Sequence, residues 1–312
     1  MQFKKIMLIL ILTLALSGCA NDRQNSNHTN SSNINQKNSS TEPVSDKNDI
    51  NKNTNSKPNL ESNYNSKIPS KTFSPIILDN ISGLQRKTIN WSWAYSPRDS
   101  SKLLLKYNGY AFGENSKKII YLTFDEGYEN GYTASILDTL KVNNVKAAFF
   151  VTQPYVTGSF NGIKDIDLVK RMMNEGHIIG NHSVHHLSMP SITNETTFDS
   201  EITDNENTVN NISGLKMSKF FRPPMGDFSE LSLYYTQKLG YKSIFFALAY
   251  KDYDPKNQPN PETAKAFLLK HTKPGMICLL HAVSKTNAEI LDSIIKEWKS
   301  QGYEFRTLND LH

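Results

Sequence analysis

The sequence predicts an α/β fold, a distorted (β/α) barrel, and three observations support this prediction. From Lys118 onward, short apolar runs alternate with segments whose apolar residues recur every three or four positions, as in strands and amphipathic helices. These units follow one another repeatedly, which favours a parallel sheet that is open or closed into a barrel. The ionisable residues fall at the carboxyl ends of the predicted strands, where α/β folds form their active sites.

Each element is predicted from its own stretch of sequence. Continuous apolar runs predict strands at 118–124, 146–152, 177–182, 241–250 and 275–283, and a further strand that starts at 219 and is broken by the prolines at 223 and 224. Apolar periodicity predicts helices at 131–144, 163–176, 193–213, 229–240, 260–272 and 285–302, and 303–312 ends the chain. The alternation of the two sets makes helices the connections of a parallel sheet.

The first 19 residues have the pattern of a bacterial export signal. Lys4 and Lys5 precede the apolar run 6–16, which is too short to span a bilayer comfortably as a helix. The run ends in LSGC, which resembles a lipobox and implies cleavage before Cys19 and a lipid on its thiol. Such a lipid would anchor the protein to a membrane without spanning it. An ordinary signal peptide with a chance cysteine is the alternative.

Composition divides the rest of the chain into three segments. Residues 20–71 are dominated by Asn, Ser and Lys, and so few large apolar residues predict a disordered tether. Residues 72–117 carry scattered apolar and aromatic positions, as expected of an ordered lead-in packed on the main domain. The catalytic domain is expected at 118–312.

Charge and cysteine content exclude several classes of protein. The formal net charge of +5 includes Lys4 and Lys5, so the mature chain is only mildly basic. No basic stripe with interleaved aromatic residues is present, which argues against nucleic-acid binding. Cys19 and Cys278 are the two cysteines, so no disulfide framework holds the mature fold. We expect a monomer stabilised by its core.

Two adjacent acids and two spaced histidines are the first candidates for chemistry. Asp125 and Glu126 end an apolar run, which fits either a solvated turn or a metal site in which the two acids have different roles. His182 and His186 lie four residues apart, so one helical turn would point both imidazoles the same way. Two histidines and a carboxylate make a divalent-metal site with open positions for water and substrate, although surface histidines are the alternative.

Three more ionisable residues follow later strands. Arg222 precedes two prolines that restrict the backbone, and a buried arginine there would need a carboxylate partner. Asp252 lies in the stretch KDYDP, where an ordinary turn acid is the alternative. His281 ends a buried strand, where a satisfied core histidine is the alternative. The convergence of all these groups at one edge is the main physical signal of an active site.

The order of five motifs resembles a known family. TFD-x-G, H-S-x-x-H, R-P-P-x-G, an Asp–aromatic pair and L-x-H occur in this order over about 119–310. They resemble the polysaccharide deacetylases of the NodB-homology family, carbohydrate esterase family 4. The resemblance implies a distorted barrel of the NodB type. The stretches IYLTFDEGYENGYT, EGHIIGNHSVHH and LLHAVSKTNAE are similar to the branch that deacetylates muramic acid while muramic δ-lactam forms in spore cortex.

The resemblance also implies roles for the residues at the matching positions. Asp125 matches the general base, His281 the general acid, and Arg222 the residue that orients the base. Asp252 matches the acid that tunes both the catalytic histidine and the arginine.

The same resemblance implies a metal site and a pocket for the acetyl group. His182 and His186 match ligands of a divalent ion such as Zn²⁺, Mn²⁺ or Co²⁺. Glu126 stands where most members have a ligand Asp and the cortex branch often has Asn, and we expect it to be the third ligand. Tyr253 stands where most members have Trp, Leu279 matches a residue of the acetyl pocket, and a backbone N–H near Met225 could hold the oxyanion.

The sequence therefore predicts a lipid-anchored enzyme on the outer face of the bacterial cytoplasmic membrane that removes acetyl groups from peptidoglycan strands. Deacetylation of N-acetylglucosamine or of another β-linked glycan is one alternative. A wall-binding lipoprotein that has lost its metal and its activity is the other, because Glu126 is unusual at its position.

Overall fold

The structure, a computed structural model, describes residues 74–92 and 100–311. The export signal, Cys19 and the tether at 20–71 lie outside these residues, so those expectations stay predictions. Across the described ranges, no helix combines the length and the apolar character needed to cross a membrane.

Twelve short strands and eight helices make up the described fold. The strands are β1 Ile89–Asn90, β2 Gly109–Tyr110, β3 Ile119–Glu126, β4 Ala148–Val151, β5 Ser159–Phe160, β6 Ile163–Lys164, β7 Ile178–Asn181, β8 Phe220–Phe221, β9 Asp227–Phe228, β10 Lys242–Ile244, β11 Met276–His281 and β12 Glu304–Phe305. The helices are α1 Ser100–Lys106, α2 Thr133–Val142, α3 Gln153–Thr157, α4 Asp165–Asn174, α5 Glu195–Ser213, α6 Glu230–Lys238, α7 Pro261–Lys270 and α8 Lys285–Ser300. Short 3₁₀ helices span Met189–Ser191, Pro224–Gly226 and Leu308–Asp310.

An eight-stranded parallel sheet forms the centre of the molecule. Its strand order is β11-β3-β4-β7-β8-β10-β2, and β12 pairs with β3. Two isolated bridges join the ends of this order: Leu248 pairs with Cys278, and Phe112 pairs with Met276. The sheet is therefore curled into a half-barrel, which confirms the predicted distorted (β/α) barrel.

The predicted strand at 241–250 is much shorter in the structure, where β10 ends at Ile244. The backbone N–H of Phe245 still donates to the carbonyl of Tyr110 in the neighbouring strand β2, at 2.7 Å. The N–H of Ala247 instead donates to the carbonyl of Ile277 in β11, at 2.9 Å. The chain thus changes partners at this point, and the change shortens the strand while it brings the two ends of the sheet together.

The two faces of β3 pack against different parts of the core. Ile119 and Tyr121 belong to an apolar cluster that residues of other strands complete inside the curled sheet. Ile120, Leu122 and Phe124 belong to a second cluster that contains residues of α2, α4 and α8. Because successive side chains of a strand point to opposite faces, Asp125 continues the inner face and Glu126 the helix-facing one.

The segment at 72–117, expected to pack on the domain, contributes to the sheet itself through β2. Before it, β1 pairs antiparallel with β9. Trp91 is fixed at both ends, because its backbone N–H donates to Gly226 at 2.9 Å and its indole N–H donates to Phe246 at 2.7 Å. This segment therefore forms one wall of the cavity described next.

Candidate active site

One cavity of about 790 Å³ lies at the carboxyl end of the sheet. Eight of the residues singled out in the sequence line it, and these are Asp125, His182, His186, Arg222, Met225, Tyr253, Leu279 and His281. Asp125 and His281 are the last or nearly last residues of neighbouring strands and face each other directly in the register of β3 and β11. The expected convergence at one edge is therefore present.

The first pair in the cavity is Asp125 with Arg222, which is almost completely buried. The guanidinium donates to Asp125 Oδ1 at 2.7 Å, to Thr123 Oγ1 at 2.9 Å and to the Ile244 carbonyl at 3.2 Å. Burial alone would raise the pKa of Asp125, but the charge of Arg222, with smaller contributions from His182 and His281, lowers it below its usual value. Asp125 is therefore a carboxylate at neutral pH.

The position of Arg222 depends on an aromatic ring and on a glycine. Its guanidinium carbon lies 4.2 Å from the centre of the Phe150 ring, a cation–π contact. A Cβ added to Gly180 would lie 2.6 Å from two atoms of the same ring, well inside contact distance. Because Gly180 has no side chain, there is room for the Phe150 ring.

The second feature is the pair of histidines. His182 Nδ1 is 2.8 Å from the Arg222 carbonyl, which only accepts, so this nitrogen carries the proton and Nε2 is left free. His182 Nε2 lies 3.5 Å from Asp125 Oδ2, and the rings of His182 and His186 are 4.8 Å apart at their centres. Burial lowers the pKa of His182 to about 4 and also lowers that of His186, so both rings are neutral at pH 7.

The helical turn expected between these histidines is wrong. Residues 182–186 form a loop between β7 and the 3₁₀ helix at Met189–Ser191. Ser183 and His186 have positive φ values of 72° and 55°, and the hydroxyl of Ser183 accepts the backbone N–H of His186 at 3.0 Å. A side-chain-bonded loop, rather than helical spacing, brings the rings together.

The third feature is His281 with Asp252 behind it. Asp252 is fully buried, and its Oδ1 is 2.7 Å from His281 Nδ1 while its Oδ2 accepts the backbone N–H of His281 at 2.9 Å. Burial would lower the pKa of His281, but the Asp252 carboxylate outweighs that effect and raises it. The ring of Tyr253 lies edge-on to His281, with centres 5.6 Å apart. The arginine that Asp252 was also expected to tune donates to other acceptors.

Glu126 does not lie where the sequence interpretation expected it. It is fully buried, and neither carboxylate oxygen has a hydrogen-bond partner among the described residues. It is not among the residues that line the cavity. Burial, and then the nearby charges of Glu129, Asp125 and Asp165, raise the pKa of Glu126 well above its usual value. The alternation of β3 explains this placement, because residue 126 belongs to the helix-facing side.

The histidine pair fits a divalent ion, but a complete set of ligands is not preformed. Two neutral imidazoles on one side of a cavity, with Nε2 of His182 free, are suitable ligands for Zn²⁺ and similar ions. Among the described residues, however, no group of three or more His, Cys, Asp or Glu side chains is arranged to hold a metal ion. Glu126, the expected third ligand, is the residue that is out of place.

Sequence reasoning missed Asn287, which contacts both members of the Asp252–His281 pair. It lies in the first turn of α8, six residues after His281, where β11 ends. The one available signal was a polar amide at the start of a helix that directly follows a strand ending in a histidine. Thr123, two residues before Asp125 on the same face, was missed as well.

Comparison with known proteins identifies the family. A family model described as polysaccharide deacetylase matches residues 112–244. Peptidoglycan-N-acetylmuramic acid deacetylase PdaA of Bacillus subtilis is 43% identical over 236 residues, which cover 72% of this chain and 85% of that relative. The chain belongs to the polysaccharide deacetylase family. The model match contains Asp125, the histidine pair and Arg222 and ends before Asp252 and His281.

Two further comparisons place the chain within this family. The solved structure of PdaA, described as a family 4 carbohydrate esterase, has a TM-score of 0.67 and 40% identity and covers 72% of this chain and 97% of that one. A peptidoglycan-N-acetylglucosamine deacetylase of Bacillus cereus is 32% identical over 204 residues, which cover 64% of this chain and 70% of that relative. The NodB-type fold predicted from the motifs is therefore confirmed.

Proposed function

We propose that this protein hydrolyses the N-acetyl groups of peptidoglycan, on N-acetylmuramic acid residues. The observation that carries the proposal is that one cavity contains both a group suited to accept a proton and a group suited to donate one. Asp125 is held ionised by Arg222, and His281 is held protonatable by Asp252. Amide hydrolysis needs one group that accepts a proton and another that donates one.

The roles follow from these protonation states. Asp125 Oδ2, the oxygen that Arg222 does not hold, takes the proton of the attacking water. His281, whose Nδ1–H points to Asp252, presents Nε2 to the cavity and gives a proton to the leaving amine. Each such acid or base typically contributes about 10²–10⁴-fold to the rate.

His182 and His186 would hold a divalent ion, Zn²⁺, Mn²⁺ or Co²⁺. When bound, such an ion would lower the pKa of a bound water molecule and polarise the carbonyl of the acetyl group. The Arg222 carbonyl fixes the ring of His182 for this purpose. Tyr253, Leu279 and Met225 line the same cavity and would contact the sugar and its acetyl group.

The choice of muramic acid rests on the comparisons. The relative named as an N-acetylmuramic acid deacetylase is 43% identical and the one named as an N-acetylglucosamine deacetylase is 32% identical. With the motif stretches that resemble the cortex branch, this favours muramic acid during δ-lactam formation in spore cortex. Glucosamine is the second candidate substrate.

Acetate release from purified glycan strands tests the proposal. Strands with and without stem peptides are compared, and mass spectrometry locates the new free amine on muramic acid or on glucosamine. Muramic acid amines support the proposal, and glucosamine amines support the second candidate. No acetate from any strand, in the presence of added Zn²⁺, Mn²⁺ or Co²⁺, would favour the non-catalytic wall-binding alternative.

A substrate in the wall places the enzyme outside the cytoplasm, and we propose that the lipid on Cys19 and the segment 20–71 hold it near the membrane. Cys19→Ser should move the protein from the membrane fraction to the soluble one. A chain that starts near Lys71 should deacetylate soluble strands as the full chain does. Retention of the Cys19→Ser protein in the membrane fraction would count against lipidation.

A further inference from the structure

Asn287 is a fully buried amide directly behind the Asp252–His281 pair. It lies in the first turn of α8, which begins four residues after His281. The hydroxyl of Ser284 caps this helix and accepts the backbone N–H of Asn287 at 3.1 Å. The start of the helix therefore fixes the backbone of Asn287 close to the end of β11.

Each polar atom of the Asn287 side chain has a partner. Its Nδ2 donates to Asp252 Oδ2 at 2.6 Å and to the His281 carbonyl at 3.0 Å. Its Oδ1 accepts a short hydrogen bond from the hydroxyl of Tyr250. Because a carboxylate and a carbonyl only accept, the amide has one possible orientation, with its nitrogen toward Asp252.

These contacts restrain the Asp252 carboxylate from one side. Oδ2 accepts from Asn287 and from the backbone N–H of His281, at 2.6 Å and 2.9 Å. A rotation of the carboxylate would break both bonds inside a buried site, where an unmade hydrogen bond is costly. Oδ1 is therefore kept pointing at Nδ1 of His281, 2.7 Å away.

We propose that Asn287 is a positioning residue, which fixes the Asp252 carboxylate so that His281 keeps its Nδ1–H toward Asp252 and its Nε2 toward the cavity. Tyr250 acts through the amide, because its hydroxyl holds Asn287 Oδ1. The importance of this arrangement for catalysis rests on the proposed function, in which His281 is the acid.

The test compares Asn287→Ala, Asn287→Leu and Tyr250→Phe with the wild-type protein. Asn287→Leu keeps the approximate size of the side chain and removes the donor. Both Asn287 variants should lower kcat by about tenfold to a hundredfold, since small displacements of a catalytic group have effects of this size, with little change in KM. Tyr250→Phe should also lower kcat, but by less than the Asn287 variants.

An NMR measurement makes the test independent of turnover. A proton on Nδ1 that is bonded to a carboxylate gives a signal at low field, and the signal of His281 is identified by its loss in His281→Gln. We expect this signal to weaken or disappear in the Asn287 variants. Asn194→Ala is the control, because it removes the side-chain cap of α5 and contacts none of Tyr250, Asp252, His281 and Asn287, so it should lower the melting temperature and keep the signal.

The outcomes separate the two proposals. Asn287 variants that melt earlier but keep the His281 signal and the wild-type kcat would overturn the positioning role. If these variants do not fold, Tyr250→Phe decides, and an unchanged signal and kcat in that variant would overturn the role. A signal that is lost as expected, in a protein whose wild type releases no acetate, would support the positioning role and overturn the proposed function.

Discussion

Asp125 and Glu126 are neighbours in the sequence and differ by one methylene, yet they lie in opposite environments. The inner face of β3 gives Asp125 a guanidinium at 2.7 Å, which lowers its pKa. The helix-facing side gives Glu126 no hydrogen-bond partner among the described residues and places it near Glu129 and Asp165, and its pKa is raised. The difference shows that chemical type alone does not make a base, since one position along a strand decides whether the pKa of a carboxylate is lowered or raised.

Asp125→Asn should have the largest effect in this comparison. It removes the proton acceptor and keeps the shape, so we expect kcat to fall by about 10²–10⁴-fold. The same chemical change at the next residue, Glu126→Gln, should keep most of the activity. Acetate release measured for both variants checks the contrast, and equal losses would show that the two acids work together.

Arg222→Met should have the next largest effect, on stability. Removal of one partner of a buried pair leaves Asp125 uncompensated, and this costs about 3–5 kcal/mol in the free energy of unfolding. The exposed pair of Arg306 with Glu304, at 3.3 Å, provides the control, because Arg306→Met should cost less than about 1 kcal/mol. Urea unfolding of both variants measures the difference. Similar losses in the free energy of unfolding would contradict the view that burial makes the loss of an ion-pair partner more costly.

Glu126→Gln should raise stability, and the gain should depend on pH. The folded pKa of Glu126 is raised above its ordinary value of 4.5, so the folded chain holds this proton more tightly than the unfolded chain. The stabilising effect is present below that ordinary value and is lost as the pH rises toward the folded pKa. Glutamine imitates the protonated acid, so the variant should gain about 1–3 kcal/mol at pH 8 and almost nothing near pH 4.5.

Unfolding measured from pH 4.5 to pH 8 checks this slope. A gain of the same size at every pH would mean that the pKa of Glu126 is the same in the folded and the unfolded chain, and it would contradict the effect of burial. A loss of stability at pH 8 would mean that its charge has a partner that the described contacts do not include.

The smallest expected effect is that of Glu126→Gln on metal affinity, which should not change. His182→Ala should lose most Zn²⁺ binding in a chelator competition. His185→Ala is the control, because His185 pairs with Glu201 at 2.6 Å and does not line the cavity. If Glu126→Gln weakens binding as His182→Ala does, the carboxylate turns to the histidines when the ion binds, and the original expectation of a His₂Glu site is right.

Most of the fold was predictable because periodicity is a local property. The helices at Glu195–Ser213 and Lys285–Ser300 match their predicted ranges to within two residues. The strand predicted at 241–250 failed because it changes partners from Tyr110 to Ile277. Such a change depends on residues far along the chain, and no apolar pattern within the strand reports it.

It was predictable from the sequence which strand ends form the site. The direction in which each side chain points was not. Alternation correctly separates Asp125 from Glu126, but both faces of β3 are apolar and buried, as in most parallel strands. The pattern of residues 119–124 therefore does not tell the inner face from the helix-facing one. The partner of His281 lies 29 residues away, in a turn whose acids look ordinary without the fold.

Gly180 has a consequence for anyone who would move this site into another protein. It contributes no side chain, and it lies on β7 rather than in a turn. The ring of Phe150 fills the space that a methyl group would take, and the guanidinium of Arg222 rests on that ring. A graft that carried every charged residue and replaced this glycine with alanine would shift the ring, then the arginine, and finally the base. The smallest set of residues that would transfer this site therefore includes Gly180, although it contributes no side chain.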